Sequence, residues 1–148
     1  MDPNSVELLL VEDSPTDAEL TIRALQKRNM ANNLVHVKNG ADALDLLFGT
    51  GNHAGSADII FVPKVILLDI QMPKMNGIEV LQKIKADPRT KSVPVVMLTS
   101  SKESSDIQKC YDLGANSYIV KPVNFEGFAT AIQNLGFYWL LLNQQPIQ

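Results

Sequence analysis

The chain has 148 residues, 45% of them hydrophobic and 20% charged, with a formal net charge of −3. That suffices for one domain with a proper core but not for two comfortable ones, and the slightly acidic balance gives no general reason to expect nucleic-acid binding. Met1-Asp2-Pro3-Asn4 lacks the basic region and apolar core of a secretory signal, the longest apolar stretches fall far short of a membrane span, and the single cysteine, Cys110, has no internal disulfide partner, so a cytoplasmic location is expected.

Short apolar runs then alternate with helical patterns. VELLLV (6–11) reads as a buried strand, and 14–28 as a helix. Ser14 is its expected N-cap, Pro15 suits the first turn, and Asp17 favours the positive helix end. Ala18, Ile22 and Leu25 keep helical spacing there. LVHV (34–37) is the second strand, followed by a helix over 40–49 that Gly49 closes. A strand over 64–69 precedes a helix over 77–87, and a strand over 93–100 precedes a helix over 105–114. SYIV (117–120) is the fifth strand, and 124–142 the last helix, with Asn124 as its cap.

These are five βα units in strict alternation. Val, Ile and Leu runs without polar alternation suit strands buried on both faces. The predicted fold is therefore α/β, a doubly wound five-stranded parallel sheet with helices on both sides. The stretch 49–63 is longer than the usual connection in such a unit. It reads either as a tolerated surface insertion or, because Ile59, Ile60 and Phe61 need cover, as a partner-contact element.

In ILLDIQMPKMNG (66–77) an apolar strand runs into an acid, Asp69, although burying a charge is expensive. In a doubly wound sheet, ligands sit beyond the carboxyl ends of the strands. Glu12 and Asp13 end the first strand, Asp69 the third, Thr99 to Ser101 the fourth, and Lys121-Pro122 the fifth. Three acids, hydroxyls and a lysine thus converge on one edge. Clustered carboxylates repel unless one is protonated or a cation intervenes, and oxygen ligands without His or Cys favour Mg²⁺ over zinc. A carboxylate beside Mg²⁺ and a lysine can attack phosphorus and hold the acyl phosphate. Taken singly, the acids could be helix caps or turn formers, Thr99 and Ser100 turn residues, and Lys121 a snorkelling lysine; their joint placement is what argues for chemistry.

LLLVEDS, ILLDIQMPKMNG, VPVVMLTS and GANSYIVKP together resemble the receiver domains of two-component response regulators, over nearly the whole chain. The resemblance implies the flavodoxin-like strand order 2-1-3-4-5. It implies that Asp69 accepts a phosphoryl group from a sensor histidine kinase. Asp13 and Asp69 would ligate Mg²⁺, with Glu12 acting mostly through water and the Gln71 carbonyl as a further ligand. Lys121 would pair with the phosphoryl group, and its peptide bond to Pro122 would be cis. Thr99 would close onto a phosphoryl oxygen, while Tyr118, at the aromatic switch position, turns inward with it. Gln71 and Ser101 stand where the family tunes dephosphorylation. Met72, Met75 and Met97 read as packing, neither His36 nor His53 as a phosphodonor, and Cys110 as a helix residue of no special reactivity.

The long loop before the third strand, PKVILLD, IKADPRTKSVPVVMLTSS and a final helix ending FYWLLLN narrow the resemblance to single-domain regulators of bacterial and cyanobacterial phytochromes. That implies a phytochrome-type kinase and a homodimer. The sequence runs only six residues past Leu142, so a single receiver domain over 1–148 without an output domain is expected, signalling through an unknown downstream protein. In the last helix Phe125, Phe128, Ile132, Leu135 and Trp139 can face the sheet, whereas Phe137, Tyr138, Leu140 and Leu141 fall on other faces and form an expected dimer surface. Two other functions compete. A Mg²⁺-dependent phosphatase with an aspartyl nucleophile would typically carry a general acid two residues after it, where this chain has Gln71. A scaffold that is never phosphorylated would have no use for intact acids, Thr99 and Lys121.

Overall fold

A computed structural model of the chain describes residues 8–26, 33–49, 63–73, 75–100, 104–124, 126–128 and 130. In chain order these form β1 (Leu8–Val11), α1 (Pro15–Gln26), β2 (Leu34–Val37), α2 (Gly40–Phe48), β3 (Val65–Asp69), α3 (Gly77–Ala86), β4 (Val95–Thr99), α4 (Ser104–Asp112) and β5 (Ser117–Val120). Residues 126–128 are helical. The strands make one five-stranded parallel sheet in the order β2-β1-β3-β4-β5, as the resemblance implies. Among the described residues, no helix is long and apolar enough to cross a membrane.

Strand side chains alternate between faces, so each apolar run supplies two cores. Leu9, Val11, Ile66, Leu68, Val95 and Met97 pack with Ala43 and Leu47 of α2 and Val80, Leu81 and Ile84 of α3. Leu8, Leu10, Val65, Leu67, Val96, Leu98 and Ile119 pack on the other face with Ala18 and Leu25 of α1 and with Phe128. This is why the strands read as continuous apolar runs.

The expected helix ends are largely met. Ser14 Oγ accepts from Asp17 N at 3.2 Å, and Asn124 Oδ1 accepts from Gly127 N at 2.7 Å. Gly49 caps α2 in the left-handed region, with φ 67°. Asn39 and Asn76 add N-caps to α2 and α3. β2 and β5 span their expected runs, whereas β3 and β4 begin later than expected. β4 begins at Val95 rather than at Val93, because Val93 N closes a turn onto Thr90 O at 3.0 Å and Pro94 has no N–H to give a ladder. The 124–142 helix, beyond its first residues, lies outside the described residues, as do Phe137, Tyr138, Leu140 and Leu141 and the apolar residues 59–61.

At the amino edge of the sheet Lys85 ties three segments together. Its Nζ donates to the carbonyls of Val93 at 2.8 Å and Lys91 at 3.1 Å and lies 3.4 Å from Asn116 Oδ1. Burial lowers the pKa of this ammonium.

Candidate functional site

Parallel pairing fixes which side chains meet at the carboxyl edge. Val11 registers with Leu68, Asp69 with Leu98, and Thr99 with Val120. Residues just past Val11, Asp69 and Val120 therefore share one edge. The chain turns sharply after Asp69: Gly77 N donates to Ile70 O at 2.8 Å, which sets the start of α3 directly on the Asp69 backbone. A Cβ at Gly77 would collide with the Asp69 carbonyl and lie within 2.9 Å of Ile70 Cα, so the turn requires a residue without one.

At this edge the Lys121 ammonium is a hub. Its Nζ lies 2.8 Å from Glu12 Oε1, 3.1 Å from Asp17 Oδ2 and 3.2 Å from Asp69 Oδ2. Glu12 and Asp69 are buried at the ends of β1 and β3, and Asp13 is half-buried. Lys121 is held in place by its own N–H, which donates to Thr99 O at 2.7 Å, and its peptide bond to Pro122 is cis. Asp69 Oδ1 accepts from Gln71 N at 3.3 Å, and Glu12 Oε2 accepts from Ser14 N at 3.2 Å.

The electrostatics follow. Burial raises the Asp69 carboxyl most; the neighbouring Glu12 carboxylate, which favours the protonated form, adds to this, and Lys121 only partly opposes it, so its pKa reaches about 7. For Lys121, burial works against the charge, but Glu12, Asp69 and Asp17 outweigh it and hold the ammonium above its ordinary value. Asp69 can thus be neutral near pH 7 unless positive charge arrives.

The site suits a hard cation. Glu12, Asp13 and Asp69 each offer a carboxylate oxygen, all within 4.8 Å of one another. Glu12 Oε1 is buried without a hydrogen-bond partner; its contact with Lys121 is an ion pair, not a directed hydrogen bond. An excess of carboxylates over ammonium and an oxygen with unused lone pairs are what a divalent ion would relieve.

Glu12, Asp13, Asp69, Gln71, Thr99 and Lys121 therefore stand at one edge, with Thr99 buried and Gln71 exposed. Tyr118 is outward, 38% exposed, its ring edge-on to Tyr111 at 5.9 Å between centroids. Met97 and Met72 are buried and Met75 packs on the core. His36 Nε2 contacts the Glu12 carbonyl at 2.8 Å, and Cys110 is buried, its thiol pushed up by desolvation. Sequence reasoning missed Asp17 as a partner of Lys121. Its place one turn into α1 read as a helix-end charge, although four residues past Asp13 is one turn from the acidic pair.

Residues 8–133 match the response regulator receiver domain. The chain belongs to this family. Rcp1, a response regulator of Synechocystis sp., is 35% identical over 133 residues, 90% of this chain and 88% of its own. The bacteriophytochrome response regulator RtBRR superposes with a TM-score of 0.82 at 47% identity, covering 96% of this receiver domain and 84% of that chain. The phosphorylated cyanobacterial phytochrome response regulator RcpA gives 0.72 at 33%, covering 96% and 97%. A Mn²⁺-bound structure of Rcp1 gives 0.72 at 31%, covering 97% and 99%. The receiver domain is accordingly a phosphorelay signalling module related to phytochrome response regulators.

Proposed function

We propose that the chain is a stand-alone response regulator in which Asp69 takes a phosphoryl group from a sensor histidine kinase. One observation carries this reading: a buried strand-end carboxylate stands 3.2 Å from a lysine ammonium, with two further carboxylates in reach of a shared cation. The Asp69 oxygen attacks phosphorus, the P–N bond of a phosphohistidine breaks, and an acyl phosphate forms. Mg²⁺, held by Asp13, Asp69, the Gln71 carbonyl and, through water, Glu12, would neutralise the carboxylates and the incoming oxygens.

Lys121 pairs with the added phosphoryl oxygens. The Thr99 hydroxyl closes onto one of them, and inward rotation of Tyr118 from its exposed position reports the change to the surface. Phosphorylation thereby shifts a population between two states. Intrinsic phosphorylation and dephosphorylation are the chain's own chemistry; its output is protein contact. The Mn²⁺-bound Rcp1 and phosphorylated RcpA support the metal and the acyl phosphate, and the likeness to RtBRR supports a phytochrome-type kinase upstream. We read residues 1–148 as a single receiver domain in the cytoplasm. It forms a homodimer through Phe137, Tyr138, Leu140 and Leu141 and acts on an unknown downstream protein.

Incubation with acetyl phosphate and MgCl₂ tests the reading by intact mass. One added phosphoryl group on the wild type and none on Asp69→Asn is expected. No adduct on either, with the fold intact, overturns it in favour of a scaffold that is never phosphorylated. Sedimentation of a monomer at high micromolar concentration, with and without a phosphoryl mimic, overturns the dimer.

A further inference from the structure

Asp17 contacts Lys121 yet has no part in the reaction above. Of the three carboxylates around the ammonium, Glu12 and Asp69 are buried at strand ends, whereas the Asp17 side chain is 42% exposed on the first turn of α1. The turn does not depend on that carboxylate: Asp17 N donates to Ser14 Oγ at 3.2 Å, and Ala18 N to Ser14 O at 2.9 Å. Breaking the contact between Asp17 Oδ2 and Lys121 Nζ, 3.1 Å, leaves a carboxylate that water can solvate. Breaking the contact with Glu12 would strand a buried charge, and the contact with Asp69 passes to the phosphoryl group that Asp69 then carries.

We propose that Asp17 is a positioning residue that competes with the phosphoryl group for Lys121. In the resting protein it shares the ammonium with Glu12 and Asp69; on phosphorylation it is the contact given up. The inference rests on Asp69 being the acceptor. The Asp17 carboxylate restrains phosphorylation in two ways that act together. It occupies the lysine that the incoming oxygens need, and it adds a like charge beside an anionic donor.

The test uses the full chain as wild type, Asp17→Asn and Asp17→Glu, with MgCl₂ and a series of acetyl phosphate concentrations. In this reaction an Asp69 oxygen bonds to phosphorus, the P–O bond to the acetyl group breaks, and acetate leaves with the electron pair. Initial rates are read by intact mass at low and high salt. Asp17→Asn is expected to raise the rate at subsaturating donor about fivefold at low salt, with the gain shrinking at high salt. Asp17→Glu, which keeps the charge, is expected to stay near wild type. Thermal unfolding controls for folding; the Asn side chain matches Asp in size at a half-exposed position. Asp17→Asn equal to or slower than wild type, or a gain that salt does not touch, overturns the proposal while leaving Asp69 as acceptor. No adduct on the wild type overturns the acceptor assignment, and the proposal with it.

Discussion

Replacing Asp69 with Asn should stabilise the metal-free protein at neutral and alkaline pH. The Asp69 carboxyl has an ordinary pKa of 3.8 and is raised to about 7 in the fold, by burial first and then by Glu12. A carboxyl whose folded pKa is raised favours the fold fully only below its unfolded pKa. Between about pH 4 and pH 7 the unfolded chain sheds the proton while the folded chain keeps it, so stability falls as pH rises. Above pH 7 the penalty is complete. A displacement from 3.8 to about 7 corresponds to about 4 kcal/mol. That is a ceiling, because Lys121 also loses a partner in the variant. Asn keeps an oxygen for the Gln71 N–H and leaves Lys121 with Glu12 and Asp17. We expect Asp69→Asn to be more stable by about 1–3 kcal/mol at pH 8 in EDTA, and by no more than about 1 kcal/mol at pH 4.5, where only that part of the penalty has developed. Urea unfolding followed by circular dichroism across that range, subtracting one protein from the other, isolates the Asp69 contribution. A flat difference, or an advantage of the variant that is smaller at pH 8 than at pH 4.5, would refute the claim that this carboxyl is held against ionisation.

Three further outcomes are expected. Gly77→Ala forces a Cβ onto the Asp69 backbone, which has no flexible side chain to yield; a loss of about 3 kcal/mol or more should appear in urea unfolding, with slower phosphorylation by acetyl phosphate. Lys85→Met removes the donor to two carbonyls remote from the carboxyl edge. It should lower stability by about 2 kcal/mol in the same assay while leaving the phosphorylation rate unchanged. Mg²⁺ at a hundred times its dissociation constant should stabilise the wild type by about 2.7 kcal/mol; an equal effect on Asp13→Asn would take Asp13 out of the ligand set.

The βα alternation, the apolar strands and the edge at which the candidate site residues collect were legible along the chain. This follows because a parallel strand buried on both faces must be apolar throughout, and because parallel strands carry their terminal residues to a common edge. Glu12, Asp13, Asp69, Thr99 and Lys121 were legible for that reason. Strand order was not in the pattern; it came with the family resemblance. Strand ends were overestimated where local bonding intervened, as at Val93 and Pro94, whose turn takes the backbone out of the ladder.

What those residues meet depends on the folded chain. Asp17 and Lys121 lie 104 residues apart, and nothing along the chain distinguishes an acid that serves a helix end from one that reaches a lysine beyond β5. Nothing along the chain marks Lys85 either; folding brings the carbonyls of Lys91 and Val93 to its ammonium. The protonation of Asp69 is of the same kind. Its residue type sets an ordinary pKa, and the raised value exists only because folding removes water and sets Glu12 beside it.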